Sequence, residues 1–119
     1  QDRRQRQMCI RDSPYIHKNP FPDLIIGDND SKSCDTKFTK ITENELMKSG
    51  LQVNYNHPFK GGYLTRSKGN PSQHIHAIQL EMCKDLYMNH NETKYEEKKA
   101  VKIKKILKNT FQHLIESLI

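Results

Sequence analysis

The sequence predicts an α/β domain. Three short strand-like runs are separated by helical or loop connections, and a long amphipathic stretch closes the chain. Three strands are too few for a complete doubly wound domain, so the pattern fits the C-terminal part of a larger one. At 119 residues there is room for one small domain and no more.

Residues 1–13, QDRRQRQMCIRDS, contain four arginines, no periodicity and no initiator Met. They read as a foreign-looking, disordered leader, which places the domain at residues 14–119. Three prolines between Pro14 and Pro22 predict an extended, irregular approach. Asp23 to Gly27, DLIIG, is a short apolar run closed by glycine and fits a buried parallel strand. Asp28 to Lys37 is loop chemistry, rich in Asp, Asn and Ser. It has the oxygen density of a calcium loop but neither the central Gly nor the final Glu of an EF-hand.

Thr42 and Glu45 form a capping box, which predicts a helix over 43–49 with Gly50 as its left-handed stop. Residues 51–55 alternate as a second strand, and residues 75–82 as a third. Period 2 puts His76, Ile78, Leu80 and Met82 on one face of the third strand. Ile75, Ala77, Gln79 and Glu81 take the other. A turn or short helix through 85–88 and a break at 89–93 follow. The last element is a helix over about 93–117, with Ala100, Ile103, Leu107, Phe111, Leu114 and Leu118 as its apolar stripe. Lys98, Lys99, Lys102, Lys105 and Lys108 line its polar side and read as a solvated face.

The net charge of +6 permits nucleic acid or an acidic substrate as partner. Residues 1–13 carry +2 of it (four Arg, two Asp), leaving +4. No basic stretch is interleaved with aromatics, which disfavours nucleic acid. No apolar run approaches the roughly 18 residues that cross a bilayer. Three widely spaced cysteines, Cys9, Cys34 and Cys83, suggest neither a disulfide framework nor a metal knuckle, and a reducing cytoplasm is the default setting.

Glu81 is the strongest catalytic candidate. A carboxylate near the end of a strand is costly in a dry core but useful in a cleft, where partial burial raises its pKa for general-base work. It reads equally as a salt-bridge partner of Lys84 or Arg66. Gln79, on the same face, can orient Glu81 or a water. His74 and His76 have no third ligand at a convincing spacing, so no zinc site is assigned, and His76 alone reads first as a packed residue. In NHPFKGGYLTRSKGNP, residues 56–71, Lys60 and Arg66 are the anion binders, and Gly61 and Gly62 allow close backbone approach. A plain turn is the competing reading.

Taken together, NYNHPFKGGYLTR, GNP and HAIQLEMCKDLYM, with PDLIIGDNDSKSC upstream, resemble N-formylglutamate amidohydrolases over residues 21–88. The resemblance implies hydrolysis of N-formyl-L-glutamate to glutamate and formate, in the context of histidine degradation. It implies a mixed sheet flanked by helices, similar to the zinc carboxypeptidase and aspartoacylase fold, with its N-terminal half missing here. It implies zinc in the intact parent, held by histidines and a glutamate from earlier strands that this chain lacks. Glu81 then takes the general-base position. Asn56, Lys60, Gly61, Gly62, Tyr63 and Arg66 contact a small acidic N-acyl amino acid. His76 matches a family position, and Tyr63 and Tyr87 line the pocket. The truncated chain is expected to be inactive alone. The other reading is a small basic protein that binds nucleic acid or a partner through the Lys-rich helix.

Overall fold

A computed structural model describes residues 21–119. The leader at 1–13 and the proline-rich approach up to residue 20 lie outside the described residues. The strand predicted in DLIIG is β1, Leu24–Gly27, buried at every position. It is the middle of a three-stranded mixed sheet. On one side it pairs in parallel with β2, Val53–Tyr55, and on the other it pairs antiparallel with β3, Gln79–Met82.

A parallel pair needs a crossover. Helix α1, Thr36–Met47, supplies it. It starts well before the expected 43–49. Asp35 is its N-cap, accepting a hydrogen bond from the Lys37 amide at 2.9 Å. Thr42, expected as the cap, is buried mid-helix, where its hydroxyl donates to the Phe38 carbonyl. Both threonine and aspartate can cap. Asp35 takes the cap, and buried Thr39 in the first turns of the helix donates to Asp28. Gly50 has φ +83° and ends the unit as expected.

β2 and β3 are shorter than the alternation predicts. Residues 75–78 are drawn off the sheet by other partners. Asn70 and Ile75 form an isolated bridge, and the Ala77 amide and carbonyl bond to the backbone carbonyl and hydroxyl of Ser33. The face assignment survives where the strand exists. Leu80 and Met82, with Ile78 just before them, pack with Leu24, Ile26, Val53 and Leu46. Gln79 and Glu81 lie on the opposite face. Within 56–71 the sequence reading missed a helix, α2, Tyr63–Lys68.

The final helix, α3, runs Glu97–Ser117 and packs on α1. Its start is delayed by a loop in which the Asn89 side chain accepts from the Thr93 and Lys94 amides, and Met88 bridges to Tyr95. The buried stripe is Ala100, Ile103 and Thr110, with Ile106 against the core. Phe111 and Leu118, expected in it, are 55% and 67% exposed. A straight helix of 3.6 residues per turn reaches the core at 110, and Thr110 is tolerated there because its hydroxyl donates to the Ile106 carbonyl. Two of the helix's lysines serve the chain itself: Lys99 caps the Met88 carbonyl at 3.0 Å, and Lys104 sits over the Tyr95 ring. Among the described residues no helix is long and apolar enough to cross a membrane.

Leu46→Ala is expected to cost about 2–5 kcal/mol in urea unfolding, as a cavity in the core. Phe111→Ala is expected to cost about 0.5 kcal/mol or less, as an exposed position. Equal losses would restore Phe111 to the core.

Candidate active site

Because β3 runs antiparallel to β1, its first residue lies beside the C-terminal end of β1: Gln79 is opposite Gly27, and Glu81 is opposite Ile25. Glu81 is the third of β3's four residues, near the end of its own strand as expected, but β3 is at the sheet edge among the described residues and, being antiparallel, ends beside the start of β1. Gln79 occupies the end where ligands usually gather in open α/β sheets.

Gln79 uses both ends of its carboxamide. Its Oε1 accepts from the Gly62 amide, with the Thr65 hydroxyl 3.5 Å away, and its Nε2 donates to Glu81 Oε1 at 2.7 Å. One side chain thus joins the Lys60–Gly62 loop to the carboxylate. Burial lifts the Glu81 carboxyl above its ordinary value of 4.5, partly offset by the Gln79 hydrogen bond. Among the described residues Glu81 has no ion-pair partner, so the salt-bridge reading with Arg66 or Lys84 has no support.

The loop is held close to the sheet. A Cβ on Gly27 would come 2.7 Å from the Lys60 carbonyl carbon, so the Lys60–Gly61 backbone rests on a position that has no side chain. Gly61 has φ +125°, a conformation that favours glycine. Phe59 packs against Phe21 with centroids 6.1 Å apart. Lys60 Nζ pairs with Asp30 at 2.7 Å, with both groups open to solvent. Tyr63 begins α2, largely exposed. The exposed Arg66 lies one turn on, with its Nε 3.4 Å from the Gly62 carbonyl.

Asn56 and His76 are engaged elsewhere. Asn56 is buried and exchanges two hydrogen bonds with Asp28. His76 Nδ1 accepts the Asp35 amide at 3.1 Å while the ring meets Phe38 edge-on at 4.6 Å. Tyr87 lies past the far end of β3, in the turn whose carbonyl receives the Glu96 amide.

The residue that sequence reasoning passed over is Asp28. It is fully buried at the end of β1. Its carboxylate accepts from the Ser31 amide, the Asn56 amide group, and the Thr39 and Tyr55 hydroxyls, all at 2.8–2.9 Å. Burial pushes its pKa up, but the bonds from Asn56, Ser31, Tyr55 and Thr39 outweigh it and hold the group below 3.8. The available signal was its place directly after four buried strand residues.

The family model for N-formylglutamate amidohydrolase matches residues 8–88. The chain belongs to this family. The match starts within the stretch 1–13 that was read as a leader. An N-formylglutamate deformylase of Pseudomonas putida is 33% identical over 104 residues, covering 86% of this chain and 39% of the relative. One of Pseudomonas aeruginosa is 36% identical over 77 residues, covering 64% of this chain and 29% of the relative. The crystal structure of N-formylglutamate amidohydrolase from Ralstonia eutropha JMP134 matches with a TM-score of 0.72 and 26% identity, covering 84% of this chain and 36% of that one. The chain thus spans less than two fifths of each protein's length.

Zinc is implied by the resemblance, but among the described residues no group of three or more His, Cys, Asp or Glu side chains could hold a metal ion. Asp28 has its oxygens filled by donors, and His76 Nδ1 is occupied. The described donor set does not fit the metal.

The two carboxylates should titrate with opposite signs. Glu81, with its pKa raised, binds protons more tightly folded than unfolded, so its contribution to stability falls as pH rises through and above 4.5. Glu81→Gln is expected to be more stable than wild type at pH 7, with the gain gone below about pH 4.5. Asp28, with its pKa lowered, stabilises the fold above 3.8 and loses that contribution as pH falls through its folded value. Asp28→Asn is expected to be less stable at pH 7, with the gap narrowing in acid. Urea titrations across pH read both, and two parallel profiles would contradict the assignment.

Proposed function

We propose that this chain forms the base-bearing and anion-binding part of an enzyme that hydrolyses the formamide bond of N-formyl-L-glutamate, giving glutamate and formate. The observation that carries the reading is the relay from the Gly62 amide through Gln79 to Glu81, in a member of this family. Glu81, with its raised pKa, takes a proton from the attacking water and returns it to the leaving amine. Gln79 fixes the carboxylate and reports the loop's position to it. Lys60 and Arg66 bind the substrate's carboxylates, Lys60 as a point charge and Arg66 as a fork. Gly61 and Gly62 keep the loop low against the sheet. Asn56 acts through Asp28, supporting the loop from beneath. The exposed Tyr63 stands at the rim, and His76 holds the start of α1.

The same reading includes a parent with the zinc carboxypeptidase kind of sheet, acting in histidine degradation in the cytoplasm. The described residues do not form a zinc site, so a metal in such a parent would draw its ligands from elsewhere. On this reading the chain by itself, supplied with zinc, releases no formate above background.

A chimera tests the roles directly. Residues 21–88 replace the matching segment of the Pseudomonas putida deformylase, and formate release is followed. Glu81→Gln in the chimera is expected to lower kcat by about 10²–10⁴-fold. Lys60→Ala and Arg66→Ala are expected to raise KM with a smaller change in kcat. Near-normal turnover in Glu81→Gln would remove Glu81 from the base role.

A further inference from the structure

The turn after β1 has an uncommon backbone. Asn29, Asp30 and Ser31 have φ of 52°, 54° and 70°. Residues with side chains seldom enter the left-handed region, and three in succession persist only where the surroundings impose it. The surroundings here do so. Asp28 Oδ1 accepts the Ser31 amide at 2.9 Å, and the Asp28 carbonyl accepts the Ser33 amide at 3.1 Å. The Asn29 amide donates to the Lys60 carbonyl at 2.8 Å, and its carbonyl accepts the Lys32 amide at 3.1 Å. The product of this bracing is the position of Asp30, whose Oδ2 lies 2.7 Å from Lys60 Nζ. The two side chains are 51% and 57% exposed, so a solute can reach the pair.

We propose that Asp30 is a specificity-determining residue of the anion site: it occupies Lys60 in the ligand-free protein and yields to the side-chain carboxylate of an acidic N-acyl amino acid. The inference rests on the reading of Lys60 as a substrate contact. An ammonium has three equivalent donors and no preferred plane, so it can exchange one carboxylate for another by rotating its side chain. The Lys60 backbone stays in place, held by the Asn29 amide and resting on Gly27. Exposed ion pairs are weak, which makes the exchange cheap and sensitive to salt. A ligand with a neutral side chain has nothing to exchange and leaves Asp30 where it is. Asp30 thus lowers the site's preference for acidic ligands and keeps Lys60 neutralised when none is present.

The test titrates the full chain by NMR with N-formyl-L-glutamate and with its uncharged counterpart N-formyl-L-glutamine. Asp30→Asn keeps the turn, because Asn is at home in the left-handed region, and Asp30→Gly provides a second variant that tolerates it fully. Both are expected to bind N-formyl-L-glutamate roughly 2- to 5-fold more tightly at low salt and N-formyl-L-glutamine unchanged. The gain should vanish on a Lys60→Ala background and shrink at high ionic strength. Unchanged or weaker binding of N-formyl-L-glutamate in both variants, while Lys60→Ala still weakens it, overturns the role of Asp30 and leaves Lys60 as a substrate contact. No binding by the wild type, no preference for the glutamate over the glutamine, or no effect of Lys60→Ala overturns the substrate reading and this inference with it.

Discussion

The Asp28 carboxylate is the interaction on which the rest of this structure depends. It sits at the end of the one strand that is buried throughout among the described residues, and it gathers donors from three separate segments. Thr39 comes from α1, Tyr55 and Asn56 from the end of β2, and Ser31 from the turn after β1. A bare buried carboxylate would be strongly unfavourable. This one is matched by hydrogen bonds to the point that its charged form is preferred. The result is a fixed junction where the parallel strands end and their crossover helix begins.

From that junction the loop over the sheet inherits its place. Asp28 holds Asn56 at the loop's start, and the neighbouring Asn29 amide holds the Lys60 carbonyl at its end. The missing side chain of Gly27 lets the backbone settle between them. Gln79 then connects the settled loop to Glu81 on the far face of the sheet. Two carboxylates thus do different work within a few residues of the same strand end. Asp28 is saturated with donors, stays ionised and supports the fold. Glu81 has one donor among the described residues, and burial raises its pKa.

Much of this frame was legible in the sequence, and the unreadable parts share one cause. LIIG fits a buried strand and Gly50 a left-handed stop, as the structure has them, and period 2 correctly places Gln79 and Glu81 on one face. Local chemistry decided those positions. The errors came where two local options were both good and a distant partner chose. Thr42 and Glu45 carry a capping signature, yet the helix is capped by Asp35, and Thr39 in its first turns reaches Asp28. Residues 75–78 alternate well enough for a strand but bond to Ser33 instead. Thr110 and Phe111 compete for one core position, and helix geometry, rather than hydrophobicity, settles it. Asp28 looked like the first residue of a polar loop because its donors other than Ser31 lie 11 to 28 residues away in sequence.

The left-handed run at Asn29, Asp30 and Ser31 bears on how such a surface can drift. Asp30 and Ser31 are exposed, and exposure ordinarily leaves a position open to many residues. Here the backbone closes it again. A β-branched residue at any of the three would carry a conformational penalty of about 1–2 kcal/mol whatever its side chain touched. The alphabet available to the turn shrinks to glycine and the short polar residues. Variation at this corner of the protein is therefore filtered by dihedral angle first and by charge second, and a substitution that looks harmless by exposure alone is the kind this turn rejects.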